Sequence, residues 1–331
     1  MVTEEFNSIL KQYEKHKLET YKVLELLGDD YTFNDFGADT ENRRYIALLQ
    51  CGTFLGFDKE QVNNKSCTGT VYHLKSANFC RQRLCPMCQF RKAEKMYINT
   101  LRVAEYLQSS FRFLHMVLTI PNARDGVELV NGIKLLYKGF NNLLHQKEVK
   151  KAFKGVLRCL EVSYNYDNDT FHPHLHCLVA VNRSYFNDSK VYISHENLRK
   201  YWTIAIKKAV ESNEDFEVFR SPHQLQCYIR AVKEGSTDDS GYNVGKAIAE
   251  VCKYCVKPLE LDKKGRDEQY KQLLLTLWHT LKGTRFVQKY GVIREAFREL
   301  RLSDDIETED TGNKSSKYFM WDSSTLKYLE G

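Results

Sequence analysis

The sequence feature that most constrains the fold is a run in which histidines alternate with other residues, Phe171-His172-Pro173-His174-Leu175-His176-Cys177-Leu178-Val179. Successive side chains of a β-strand point to opposite faces, so His172, His174 and His176 would share one face. The intervening residues would form an apolar face that has to be covered by another layer. We therefore expect a strand with a buried side and a side that gathers three imidazoles.

A second strand is predicted just before this one, at Val156–Tyr164, and the polar segment Asn165–Thr170 between them is typical of a hairpin turn. Pairing the strands about the centre of that turn places Glu161 opposite His174. A slip of one residue would move Glu161 to the other face.

Two histidines and one carboxylate, here His174, His176 and Glu161, form a candidate site for Mg2+ or Mn2+ that would contact a phosphate oxygen. The alternative is that the histidines lie on a solvent face or are hydrogen-bonded within the core. The crowding of three imidazoles on one face favours the metal site.

A helix is predicted at Asn243–Val256, before Pro258. Glu250, Tyr254 and Lys257 are spaced four and three residues apart, so they would line one stripe. Tyr254 could attack a phosphodiester, Lys257 could stabilise the developing charge, and Glu250 could activate water. The alternative is an exposed helix face with an ordinary ion pair.

A cluster of cysteines lies upstream, at Cys80, Cys85 and Cys88. The Cys-x2-Cys spacing with further cysteines is typical of a structural Zn2+ site, which needs four ligands. Three residues compete for the fourth position: Cys51, Cys67 and His73.

Composition places the chain in a broad class. The 331 residues carry a net charge of +6, which is compatible with binding to nucleic acid. The first residues contain charges throughout and no signal-peptide core, and no apolar stretch approaches the ~20 residues of a membrane helix. The expected compartment is the cytoplasm, and no membrane partner is expected.

The predicted elements indicate an α+β protein with a central antiparallel sheet flanked by helices. We expect four segments, listed in order: an N-terminal helical region (1–44), a zinc-binding lobe (45–110), a core that carries the histidines (111–260) and a helical C-terminal region (261–331). Within the core, Phe216–Arg220 is predicted to be a short strand, and Ser194 is the predicted N-cap of a helix that extends to about Val210.

The motifs occur in the order FCRQRLCPMC, HMVLTIPN, His-Pro-His-Leu-His and Glu-x3-Tyr-x2-Lys. In this combination the chain resembles the rolling-circle plasmid replication initiators of Gram-positive bacteria, the Rep_1-type branch of the HUH endonucleases. The resemblance runs from about Cys51 to Pro258 and more weakly to the Met320-Trp321 tail.

The resemblance implies an HUH endonuclease fold with His174 and His176 as the HUH pair and Tyr254 as the nucleophile. It implies nicking at a plasmid double-strand origin, a 5′-phosphotyrosyl bond and a free 3′-OH that primes synthesis. Glu250 matches the water-activating residue used at termination, and Cys51 is favoured as the fourth zinc ligand. The implied partners are origin DNA and the host helicase and polymerase. The sequence leaves the oligomeric state open, with a homodimer as one alternative.

We therefore predict a metal-dependent DNA nickase and strand transferase. Tyr242, twelve residues before Tyr254, is expected to be poorly placed to reach the same phosphate. The alternatives are an HUH transposase and a non-enzymatic, zinc-containing DNA-binding repressor.

Overall fold

The computed structural model describes residues 4–31, 45–64, 67–220, 225–233, 242–252, 267–306 and 317–331. The chain divides into two compact units. Unit 1 comprises 1–92, 258–278 and 304–331, and unit 2 comprises 93–257 and 279–303. In the part of the chain that is described, no helix is long and apolar enough to cross a membrane.

Unit 2 is built on a five-stranded sheet in the order β6-β3-β5-β4-β7, in which all neighbouring strands run antiparallel. Its strands are β3 (Phe111–Thr119), β4 (Phe153–Asn165), β5 (Thr170–Asn182), β6 (Cys227–Ala231) and β7 (Val287–Tyr290). The histidine strand β5 is therefore central, with β3 on one side and β4 on the other.

The hairpin of β4 and β5 has the predicted register, with Glu161 opposite His174 and Asn165 opposite Thr170. The Asn165 side chain accepts hydrogen bonds from the backbone N–H groups of Asp167 and Asn168, which is the geometry of an Asx turn. Asp169 has a φ of 54°, which lets the chain reverse within four residues. The turn chemistry thus fixes the register on which the site depends.

Helices cover both faces of this sheet. The helices Gly126–His145 and His195–Val210 pack together through Gly139, Trp202 and Ile206, and the Trp202 indole donates to the Thr119 carbonyl. As predicted, Ser194 caps the second of these helices, with its hydroxyl accepting from the Asn197 N–H.

The other face carries Glu161, His174 and His176 and, further along the same strands, Leu157, Leu178 and Ala180. These apolar residues form one core with parts of three helices, Pro86–Leu107, Val244–Val251 and Gly291–Glu299. The helix that carries Glu250 therefore lies on the same face of the sheet as the histidine cluster.

Unit 1 contains a four-stranded antiparallel sheet in the order β2-β1-β8-β9. Its strands are β1 (Phe54–Asn64), β2 (Cys67–Ala77), β8 (Lys317–Asp322) and β9 (Lys327–Glu330), and the helices Glu4–Tyr31 and Asp267–Thr280 contribute side chains to its core. Phe6 contacts both Phe57 and Phe319, so the first helix shares one aromatic core with strands β1 and β8.

Two expectations about secondary structure are wrong. The C-terminal region 261–331 is not only helical, because β7 pairs with β4 and β8 pairs with β1. Residues Glu214–Phe219 form a 3-10 helix and not a strand, since the Asn213 side chain caps the Asp215 N–H. The predicted segment boundaries at 44, 110 and 260 stay predictions. The two compact units are made of discontinuous parts of the chain and do not correspond one to one with these segments.

Candidate metal centres and active site

Three donor atoms converge where β4 pairs with β5. Glu161 Oε2 lies 2.8 Å from His176 Nε2 and 3.3 Å from His174 Nε2, and the two Nε2 atoms are 3.2 Å apart. Neighbouring ligands of an octahedral ion with bonds of about 2.1 Å are about 3.0 Å apart. The residues present therefore fit three ligands on one face of a divalent ion.

The two histidines determine the charge of Glu161. Burial by itself raises the pKa of Glu161, but hydrogen bonds and charge interactions with His174 and His176 hold it well below its usual range. Glu161 is only 4% exposed, so solvent screens these interactions weakly. The carboxylate is therefore ionised at neutral pH, as a metal ligand must be.

The backbone sets the orientation of His174. Its Nδ1 lies 3.0 Å from the His172 carbonyl oxygen, which can only accept a hydrogen bond. Nδ1 therefore carries a ring hydrogen, and Nε2, which lies beside Glu161, would present its lone pair to a bound metal ion. A second contact of this kind is typical of histidines that ligate metals.

His172 shares the face but has different partners. Its Nδ1 lies 2.7 Å from Asn122 Oδ1, and Asn122 Nδ2 donates to the Thr170 hydroxyl. Burial lowers the pKa of His172. Among the described residues, the group of converging donors contains Glu161, His174 and His176 and does not include His172.

The cluster extends to two further residues, His115 and Tyr242, which the sequence motifs did not place there. His115 Nε2 lies 3.2 Å from His176 Nδ1, and the Tyr242 hydroxyl lies 2.5 Å from His115 Nδ1. Burial, reinforced by the Glu250 carboxylate, raises the pKa of Tyr242 to about 12, so the phenol is neutral. A signal for His115 was present, since it is the one titratable residue within the otherwise mostly apolar run FLHMVLTI.

Helix Val244–Val251 carries one residue of the predicted catalytic stripe within the described part of the chain. Asn243 caps this helix, and Ala247, Ile248 and Val251 are buried against the sheet. Glu250 is half-buried and close enough to Tyr242 to affect its pKa. Tyr254 and Lys257 lie outside the described residues.

Four cysteines converge in unit 1. Cys51 Sγ lies 3.4 Å from Cys85 Sγ and 3.5 Å from Cys88 Sγ, which lies 3.6 Å from Cys80 Sγ. Sulfurs around a tetrahedral zinc ion with Zn–S bonds of about 2.3 Å are about 3.8 Å apart. The four thiols therefore fit one tetrahedral ion, and none of them forms a disulfide.

The surroundings of the cysteines are also suited to thiolates. The backbone N–H groups of Cys80 and Arg81 donate to Cys51 Sγ and Cys88 Sγ. The neighbouring thiols, with Cys51 first, and burial raise the pKa of Cys88, so the four groups do not all ionise on their own. A bound cation would supply the charge that lets them do so.

The structure also bears on which residue joins Cys80, Cys85 and Cys88 as the fourth member of this cluster. The group of converging thiols contains Cys51. His73 is exposed on β2, opposite Asp58 of β1. Cys67 pairs through its backbone with Asn64 at the far end of the same hairpin.

A buried lysine borders this cluster. Lys17 is fully buried, and its Nζ donates to the carbonyl oxygens of Leu49 and Cys51 at 2.7 Å each. Burial lowers the pKa of Lys17, and the nearby cysteines act in the opposite direction. The first helix is thus attached to the segment that presents Cys51.

Comparison with known proteins gives one consistent family. The family described as a replication protein, Rep_1, matches residues 71–329, which is more than half of the chain. No solved structure matches this chain.

Three curated relatives are each called Protein rep. One from Staphylococcus aureus is 32% identical over 200 residues, covering 60% of this chain and 84% of the relative. One from Streptococcus pneumoniae is 31% identical over 292 residues, covering 84% and 82%. One from Lactiplantibacillus plantarum is 28% identical over 310 residues, covering 92% and 86%. The chain therefore belongs to the Rep_1 family of replication proteins.

Proposed function

We propose that this replication protein is a metal-dependent DNA nickase and strand transferase that initiates rolling-circle replication at a plasmid origin. The observation that carries the proposal is the convergence of His174, His176 and Glu161 on one buried point. Three protein ligands on one face of an ion would leave its other positions open for phosphate oxygens, which suits metal-assisted phosphodiester chemistry.

The proposed reaction transfers the DNA backbone to Tyr254. The phenol oxygen of Tyr254 attacks the scissile phosphorus and loses its proton, a tyrosyl–phosphate bond forms, and the bond to the 3′ oxygen breaks. That oxygen takes up a proton and becomes the 3′-OH from which synthesis starts. Lys257 would stabilise the charge that develops on the phenol oxygen during attack.

The metal ion, Mn2+ or Mg2+, would polarise the scissile phosphate and draw charge away from it. The chain supplies the ligand geometry. The hydrogen on Nδ1 of His174 turns Nε2 toward Glu161, and the ionised Glu161 provides the anionic ligand. The β4–β5 register holds these donors at their observed separations.

The four cysteines support a second, structural proposal, namely that they bind Zn2+. Four sulfur ligands leave no open position on a tetrahedral ion, so this centre would stabilise unit 1 and would not take part in the chemistry. Membership of a replication family favours the nickase over the transposase or a non-enzymatic repressor.

An adduct assay tests the proposed function. The full chain is incubated with Mn2+ and a labelled single-stranded oligonucleotide from a candidate origin, and the products are separated under denaturing conditions. We expect a covalent protein–DNA adduct that Tyr254→Phe abolishes. Tyr192→Phe, which changes an exposed phenol, is the matched control and should leave the adduct unchanged.

The result separates the candidate functions. Binding without any adduct, on the origin of the plasmid that encodes the protein, would favour the repressor. An adduct that persists in Tyr254→Phe would show that another residue is the nucleophile.

A further inference from the structure

His115, on the strand next to the histidine strand, links the metal-ligand cluster to Tyr242. His115 is 5% exposed, and its two ring nitrogens lie within hydrogen-bonding distance of His176 and Tyr242. A buried imidazole is costly unless its polar atoms are paired. Both ring nitrogens of His115 are thus paired, and one of them contacts the proposed metal ligand His176.

The three rings are nearly parallel. The plane of the His115 ring makes an angle of 12° with that of His176 and 23° with that of Tyr242, and the ring centres are 5.5 and 5.8 Å apart. This arrangement lets the in-plane ring nitrogens of His115 reach both neighbours. On β6, Arg230 lies opposite His115, and its guanidinium is 4.3 Å from the centre of the Tyr242 ring. The Tyr242 side chain is therefore held by two contacts, and its carbonyl oxygen accepts a hydrogen bond from the Lys233 N–H, although Tyr242 belongs to no helix or strand.

The hydrogen bonds of this row have only one consistent direction when His176 acts as a ligand. To present its Nε2 lone pair to a metal ion, neutral His176 must carry its ring hydrogen on Nδ1. That hydrogen points at His115 Nε2, which must then accept. His115 consequently carries its own hydrogen on Nδ1 and donates to the Tyr242 oxygen.

We propose that His115 and Tyr242 are positioning residues that hold His176 in its metal-binding tautomer. We call the hydrogen-bonded row of His176, His115 and Tyr242 the relay. The inference rests on the proposed metal site and extends it by two residues that do not touch the ion. Tyr242 acts as the final acceptor, so its own hydroxyl hydrogen points away from His115. His174 needs no such row, because the His172 carbonyl fixes its tautomer directly.

Metal affinity tests this relay. The full chain is titrated with Mn2+, and free Mn2+ is followed by electron paramagnetic resonance. Tyr242→Phe removes the final acceptor and should weaken binding by about tenfold, the low end of the range for contacts behind a ligand. Tyr228→Phe is the matched control, because its exposed ring approaches His115 only edge-on at 6.2 Å. It should bind like the unsubstituted chain.

Two substitutions of His115 separate positioning from packing. His115→Phe keeps an aromatic ring and loses both nitrogens, whereas the side-chain oxygen of His115→Gln can still accept from His176. We expect weaker Mn2+ binding in the first variant and partial recovery in the second. Equal binding by Tyr242→Phe and the unsubstituted chain would overturn the relay, and so would equal losses in the two His115 variants.

A measurement on the unsubstituted chain avoids any effect of misfolding. In the Mg2+-loaded protein, nitrogen-15 NMR should show both His115 and His176 protonated on Nδ1. Protonation of His115 on Nε2 would overturn the relay while leaving the metal site intact. If the unsubstituted chain bound no Mn2+ at all, the proposed metal site itself would fail, and the relay with it.

Discussion

Glu161 lies directly across the β4–β5 hairpin from His174, and its Oε2 atom also reaches His176 at 2.8 Å. One carboxylate oxygen thus contacts two imidazoles that are two residues apart on the next strand. The relationship depends on the hairpin register, because a shift of one residue would turn Glu161 to the opposite face.

The first prediction concerns this carboxylate. Glu161→Gln keeps the shape of the side chain and removes its charge, so Mn2+ affinity should fall by at least about tenfold and adduct formation should fall with it. Mn2+ titration and the adduct assay measure both effects. Glu196→Gln, at an exposed position on the helix His195–Val210, is the control and should change neither. Unchanged Mn2+ affinity in Glu161→Gln would remove Glu161 from the site.

The second prediction is a pH dependence of the metal-free protein. The pKa of Glu161 is depressed in the folded chain, so its ionised form contributes stability that is fully present above the unfolded pKa of about 4.3. That contribution declines as the pH falls from about 5 toward the depressed value. The unfolding free energy of the unsubstituted chain should therefore fall more steeply below pH 5 than that of Glu161→Gln. Parallel curves would contradict the cause assigned to the shift.

The third prediction tests the cysteine centre. We expect about one zinc ion per chain, and Cys85→Ser should abolish zinc retention and destabilise unit 1. Cys177→Ser is a matched control, since Cys177 is an equally buried thiol on β5 in the other unit. It should lower stability without changing the zinc content. A zinc-free chain with a fully folded unit 1 would contradict the proposal.

The fourth prediction concerns Lys17. Lys17→Met removes an ammonium group and leaves the buried carbonyls of Leu49 and Cys51 without that donor, which should cost about 1–3 kcal/mol of stability in unit 1. Lys15→Met, on the same helix but 71% exposed, should stay within about 0.5 kcal/mol. Urea unfolding, with hydrogen exchange of β1 and β8, measures both. Similar losses in the two variants would show that the buried contacts contribute little.

Local patterns predicted the central hairpin and its register. Alternation indicated the strands, and the polar turn at Asn165 fixed which residues are opposite each other, so the position of Glu161 beside His174 could be predicted from the sequence alone. The Ser194 cap likewise followed from the residue type, because serine is a preferred N-cap residue. These features depend on residues that are close in sequence.

The features that were missed depend on long-range contacts. His115 and Tyr242 are 127 residues apart, and only the pairing of β3 with β5 and β6 brings them to His176. The short strands β7 and β8 are stabilised by partners far away in the chain, and their own sequences have no strong strand pattern. The sequence around Lys17 is that of a polar helix with a solvated lysine, and only tertiary packing buries this side chain.

The last prediction concerns how replication ends. A protein with one catalytic tyrosine has used its phenol after the first cleavage, so a second cleavage requires another tyrosine or an activated water. Tyr242 does not fill the first role, because its hydroxyl contacts His115 and its pKa is raised to about 12. Glu250, half-buried on the helix that packs against the face of the histidine cluster, is the candidate base for water.

Glu250→Ala should therefore leave the first nick largely intact and impair hydrolytic release, so that displaced strands exceed one plasmid length. Glu250→Gln keeps the size of the side chain but cannot accept a proton from water, and should show the same defect. A replication assay that resolves product length, run beside the adduct assay, measures both steps. Loss of the first nick with normal termination would instead assign Glu250 to positioning the metal or the phosphate, because a base for water is needed only after the tyrosyl bond has formed.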